Sequence, residues 1–171
     1  MKLCIQTTRE DQRIAWLTAL AITIHIAESA LPAPIPGVKP GLANIITIIC
    51  LIQYGWRTAA WVAMLRVLVG SILIGTFLSP TFILSLSGAM ASVALLGLAS
   101  RLPLGLGPVG YSLLAAMAHM AAQFFTAYAL FIPHQGLFHL LPILMTVAVV
   151  FGIGSGLIAH HMVNRIKQIE T

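Results

Sequence analysis

Six polar side chains lie within or beside long apolar stretches and could together form one binding site: Glu28, Lys39, Asn44, Arg66, His119 and Gln123. Ionisable and amide groups are expensive to keep in apolar surroundings, so each is a functional candidate by default. Two cations, a carboxylate, two amides and an imidazole suit an anionic or zwitterionic ligand with an extended apolar or aromatic body. They suit catalysis poorly. Asp11 is the only aspartate among four acidic residues, so the clustered carboxylates that hold Mg²⁺ against a diphosphate are missing. The chain has no Gly-x-x-x-x-Gly-Lys-Ser/Thr loop for ATP and no haem or iron–sulfur spacing. Cys4 and Cys50 do not make a disulfide framework or a metal site. His160-His161 is read as the end of a membrane-crossing segment rather than a metal pair. The expectation is a protein that binds rather than catalyses, with no metal and no covalently held cofactor.

The surroundings of these residues follow from composition. Of 171 residues, 59% are hydrophobic and 8% charged, with a mean hydropathy of +0.99. A soluble domain carries about 25% charged residues. Thirteen ionised side chains (9 Lys+Arg, 4 Asp+Glu) cannot cover a water-soluble globule of this size, so a lipid bilayer is the solvent that fits. An all-α integral membrane protein is expected, as one polytopic domain over 1–171. Its six spans lie near 14–31, 41–54, 58–77, 82–99, 110–131 and 140–162. The second is short, and a re-entrant helix in its place is the alternative. Pro32, Gly55, Pro80, Pro103 and Pro133 fall in the connections, where chain breakers belong.

The net charge of +5 is explained by orientation. With a cytoplasmic N-terminus, Lys2, Arg9, Arg13, Arg57, Arg101, Arg165 and Lys167 fall on the cytoplasmic side, and only Lys39 falls outside. That asymmetry follows the positive-inside rule and supports an even number of spans. No nucleic-acid partner is needed. The first span exceeds a signal peptide's apolar core and ends near Glu28, so it is read as retained.

Depth along the spans, at about 1.5 Å per residue, sets Arg66 and His119 near the midplane. Glu28, Asn44 and Gln123 fall in the outer half, beside the loop bearing Lys39. A pocket open to the outside and floored by Arg66 and His119 is expected. Ser112, His119, Gln123 and Thr126 share one helical face, and Ser85, Gly88 and Ser92 form a small-residue row on the fourth span. The serines and glycines are expected to serve helix packing. Arg66 is either a ligand group or an ion-pair partner of Glu28, and His25 is expected to be a packing residue. On the first span Ala15, Ala19 and Thr23 form a separate stripe that could meet a partner helix.

The stretch Pro34-Ile35-Pro36-Gly37-Val38-Lys39-Pro40-Gly41-Leu42-Ala43-Asn44 resembles the signature of a bacterial membrane family described both as heptaprenyl diphosphate synthase component I and as the Gx transporter family. Glu28, Arg66-Val67-Leu68-Val69-Gly70, Ser85-Leu86-Ser87-Gly88 and Ala118-His119 with Gln123 extend the resemblance along nearly the whole chain. The family in turn is similar to the substrate-binding S components of energy-coupling factor transporters. That resemblance implies a six-helix bundle in the bacterial inner membrane with both termini cytoplasmic, capturing a small molecule from the outer side. It implies association through Ala15 and Ala19 with a transmembrane coupling protein and ATPases. A flavin or an isoprenoid or quinone precursor would suit the site. The other description implies a non-catalytic membrane subunit of prenyl diphosphate metabolism. An ion- or proton-coupled carrier using Glu28 and His119 is a third possibility.

Overall fold

The computed structural model describes residues 7–30, 43–103 and 105–170. Six α-helices follow one another: α1 (Arg9–Ala30), α2 (Ala43–Tyr54), α3 (Trp56–Ile74), α4 (Pro80–Arg101), α5 (Pro108–Leu130) and α6 (Leu141–Glu170). A 3₁₀ helix, Gln135–Leu140, precedes α6, and the described residues contain no strand. Trp56–Ile74, Pro80–Arg101, Pro108–Leu130 and the segment Gln135–Ile166 are long and apolar enough to cross a membrane. In α1 the apolar stretch is bounded by Arg9, Glu10, Asp11 and Arg13 at one end and Glu28 at the other. With 12 residues, α2 is about 18 Å long, against about 30 Å of bilayer hydrocarbon.

Local chemistry sets the helix ends, several of them away from the limits that hydropathy suggests. Helix α1 starts before its apolar stretch because Thr8 and Asp11 form a reciprocal cap. The Thr8 N–H and hydroxyl donate to the Asp11 carboxylate at 2.9 and 2.8 Å, and the Asp11 N–H donates to Thr8 Oγ1 at 3.2 Å. Helix α3 stops at Ile74, short of Phe77, because Gly75 takes a left-handed conformation (φ 77°). The Thr76 N–H then closes back onto the Ser71 carbonyl at 2.8 Å. Ser79 caps α4, accepting from the Phe82 N–H, and Pro80 fills the first helical turn.

The Thr8 donors hold the Asp11 carboxyl below its usual range. A lowered carboxyl value means that the cap is fully present above about pH 4 and is lost as pH falls through the lowered value. The protection factor of the Thr8 amide, its exchange rate taken against the intrinsic rate at each pH, is therefore expected to fall on acidification, and Asp11→Asn is expected to show the low value already at neutral pH.

Helix α2 is the hub of the bundle, touching α1, α3, α5 and α6. Every residue from Ile45 to Leu51 is buried, so this helix is covered on all sides. The core closes around it through Ala21, Val62, Leu96, Ala115 and Ala159. By contrast Trp16, Trp61, Leu73, Met90, Phe125 and Val150 point outward as an apolar exterior suited to lipid. Helices α4, α5 and α6 pack side by side. The Ser92 hydroxyl donates to the Ala115 carbonyl at 2.8 Å, and Ser112 and Ser155 share a hydrogen bond of 3.0 Å between α5 and α6. Gly152 and Gly156 bring those two helices into backbone contact. A Cβ on Gly156 would lie 2.7 Å from the Val109 Cα. The Trp56 indole N–H donates to the Val93 carbonyl at 2.8 Å and lies against Gly97.

Candidate ligand-binding cavity

Between the helices is a cavity of about 240 Å³ to which all six contribute. Five of the six site residues expected from sequence line it: Glu28 from α1, Asn44 from α2, Arg66 from α3, and His119 with Gln123 from α5. Lys39, the sixth, lies outside the described residues. Arg66 sits about 15 Å along α3 and His119 about 16 Å along α5, near the middle of both helices. Apolar side chains complete the lining, among them Val67, Leu84, Met120, Val147 and Phe151.

Arg66 and Glu28 are 8% and 5% exposed, too little for water to screen their charges effectively. The Glu28 carboxylate attracts the Arg66 guanidinium. That pairing does not use all of the arginine's hydrogen-bonding capacity, because Arg66 Nε is buried with no hydrogen-bond partner. A buried N–H left in this state carries a desolvation cost of about 1–3 kcal/mol, which a ligand acceptor would remove.

The two imidazoles are seated by glycines on neighbouring helices. The His119 ring hydrogen-bonds to the Gly88 backbone and lies so close that a Cβ at position 88 would come within 2.7–2.8 Å of three of its atoms. His25, expected to be a packing residue, does pack on Gly70, its Cδ2 3.2 Å from where a Cβ would be, yet it also lines the cavity. Gly88→Ala is expected to dislodge His119 and to destabilise the bundle by about 1–3 kcal/mol. The imidazole resonances of His119 and the denaturant midpoint would report the two effects.

The small residues divide by role. Ser92 and Ser112 serve helix packing, as expected, and Thr126 is not among the lining residues. Ser85 and Thr81 of α4, and Ser155 of α6, face the cavity as further hydroxyls. Ser155, Gly152 and Phe151 were not anticipated. The spacing of Gly152 and Gly156 is a signal that could have marked α6 as a close-packed face. Among the described residues no group of three His, Cys, Asp or Glu side chains is placed to hold a metal. The outward position of Ala15, Ala19 and Thr23, all exposed, leaves that stripe free of the bundle's own helices.

Fold and cavity together define a helical membrane protein with a cavity of mixed polar and apolar lining between its helices. The family model for heptaprenyl diphosphate synthase component I matches residues 17–162, and the chain belongs to that family. No curated protein and no solved structure matches it.

Proposed function

We propose that this protein is a substrate-capture component of a membrane transport system, similar to the S components of energy-coupling factor transporters. On this reading all six helices cross the bacterial inner membrane, both termini are cytoplasmic and the cavity opens to the outer side. The carrying observation is that Glu28, Asn44, Arg66, His119 and Gln123, drawn from four helices, line one cavity with an apolar wall. An anionic or amphipathic small molecule such as a flavin or an isoprenoid or quinone precursor would set its charged group at the polar end, with Lys39 as a second cation. The protein binds and releases it without chemistry. Energy comes from partners, since the sequence has no nucleotide loop. The exposed stripe of Ala15 and Ala19 is the surface on which a transmembrane coupling protein, joined to ATPases, would dock.

Mass spectrometry of gently purified protein tests this reading. One small molecule is expected to accompany the native chain and to be lost from His119→Ala and Gln123→Ala. A chain that carries nothing, or whose ligand survives both substitutions, would overturn it. The family's description favours a second reading, a non-catalytic membrane subunit working with a soluble prenyl diphosphate synthase. Co-purification of such a synthase, with its activity lost on deletion of this chain, would support that reading.

A further inference from the structure

The ionisable groups around the cavity restrict how an anion can enter it. The charged and titratable groups among the described lining residues are His25 and Glu28 of α1, Arg66 of α3 and His119 of α5. Helices α2, α4 and α6 contribute only neutral groups there, Asn44, Thr81, Ser85 and Ser155 among them, and Gln123 is neutral too. With both imidazoles neutral, Arg66 and Glu28 cancel, and an entering anion would leave the cavity with one uncompensated negative charge. Burying such a charge costs several kcal/mol unless a counter-charge appears.

We propose that the cavity is a proton-linked oxyanion site, in which a carboxylate, sulfonate or phosphate group docks on the unpartnered Nε of Arg66 and a proton taken up by His119 or His25 restores neutrality. The inference rests on reading the cavity as a ligand site and adds the class of ligand and its coupling. The two histidines are the suitable acceptors because imidazole ordinarily titrates between pH 5 and 8, well above a carboxylate. Their seats on Gly88 and Gly70 hold both rings at the cavity. The proton comes from solvent and adds to the unprotonated nitrogen of a neutral imidazole; no bond in the ligand is broken. Ligand capture is thereby favoured on the more acidic side of a membrane.

Three probes test this on the full chain in lipid nanodiscs: benzoate and benzenesulfonate, both ionised above about pH 6, and neutral benzamide. Titration calorimetry in two buffers of different ionisation enthalpy reads the protons taken up. Benzoate and benzenesulfonate are expected to bind with uptake of about one proton, their affinity rising about tenfold per pH unit of acidification. Benzamide is expected to show no dependence. Glu28→Gln, which leaves Arg66 uncancelled, is expected to bind both anions without proton uptake. The paired change His25→Gln with His119→Gln is expected to bind them weakly at every pH. Anion binding that is independent of pH, or a full pH slope in the double histidine variant, would overturn the proposal while leaving a ligand cavity in place. Binding of benzamide alone would overturn the oxyanion class. Failure of all three probes, together with a purified chain that carries no small molecule, would overturn both readings.

Discussion

Arg66→Ala is expected to destabilise the protein by about 3–5 kcal/mol, the cost of breaking a buried ion pair by removing one partner. The Glu28 carboxylate, 5% exposed, would be left in the bundle without the guanidinium that attracts it. Removing both charges, as Arg66→Met with Glu28→Gln, is expected to recover most of the loss, because neither charge is then left uncompensated. Arg66→Lys separates the two roles of this side chain. It keeps the charge opposite Glu28 but lacks the N–H now buried without a partner, so stability is expected to hold near native while the bound molecule is lost. Denaturant titrations in mixed micelles, with mass spectrometry of the purified variants, check both. A loss below about 0.5 kcal/mol for Arg66→Ala would remove the ion pair from the account of stability.

The second large effect is expected on the far side of the cavity. Gly156→Ala adds a methyl group 2.7 Å from the Val109 Cα, a backbone atom with no rotamer to change. Helices α5 and α6 must part, which strains the hydrogen bond between Ser112 and Ser155 and opens the apolar wall. A cost of about 1–3 kcal/mol is expected. Gly154→Ala is the control, two residues away on the same helix. Its Cβ would meet nothing within 4 Å, so a neutral or mildly stabilising change of up to about 1 kcal/mol is expected. Thermal unfolding of the two variants side by side decides the matter.

What could be read from sequence follows from what a membrane makes costly. Glu28, Asn44, Arg66, His119 and Gln123 stood out because a polar group in an apolar helix demands a reason, and the fold brings all five to one cavity. Phe151 and Met120 carried no such signal. Lipid and protein interior are equally apolar, so hydropathy does not separate Phe151, which lines the cavity, from Phe125, which faces outward. His25, expected to be a packing residue, does pack on Gly70, but it also lines the cavity, a second role that its residue type and position do not announce. The helix ends were hidden for a different reason: Gly75 and the pair Thr8 and Asp11 act through backbone geometry and capping. The close approach of Gly152 and Gly156 to α5 was legible in principle as glycines one helical turn apart, but only the partner helix gives that spacing its meaning.

The short α2, enclosed from Ile45 to Leu51, has a consequence for how the chain is made. Its 12 residues span little more than half the hydrocarbon thickness, so α2 gains too little from lipid to be held there by its own hydrophobicity. Its seat is built by α1 and α3, its neighbours in sequence, but also by α5 and α6, which leave the ribosome well after it. Until those arrive α2 has no complete enclosure, and the cavity lacks the lining that α5 and α6 supply. Biogenesis of this protein is therefore a commitment completed only with α5 and α6. A nascent chain halted after α4 would hold Arg66 and Glu28 without His119 or the apolar wall of α6, and quality control that senses unburied α2 would separate finished molecules from unfinished ones.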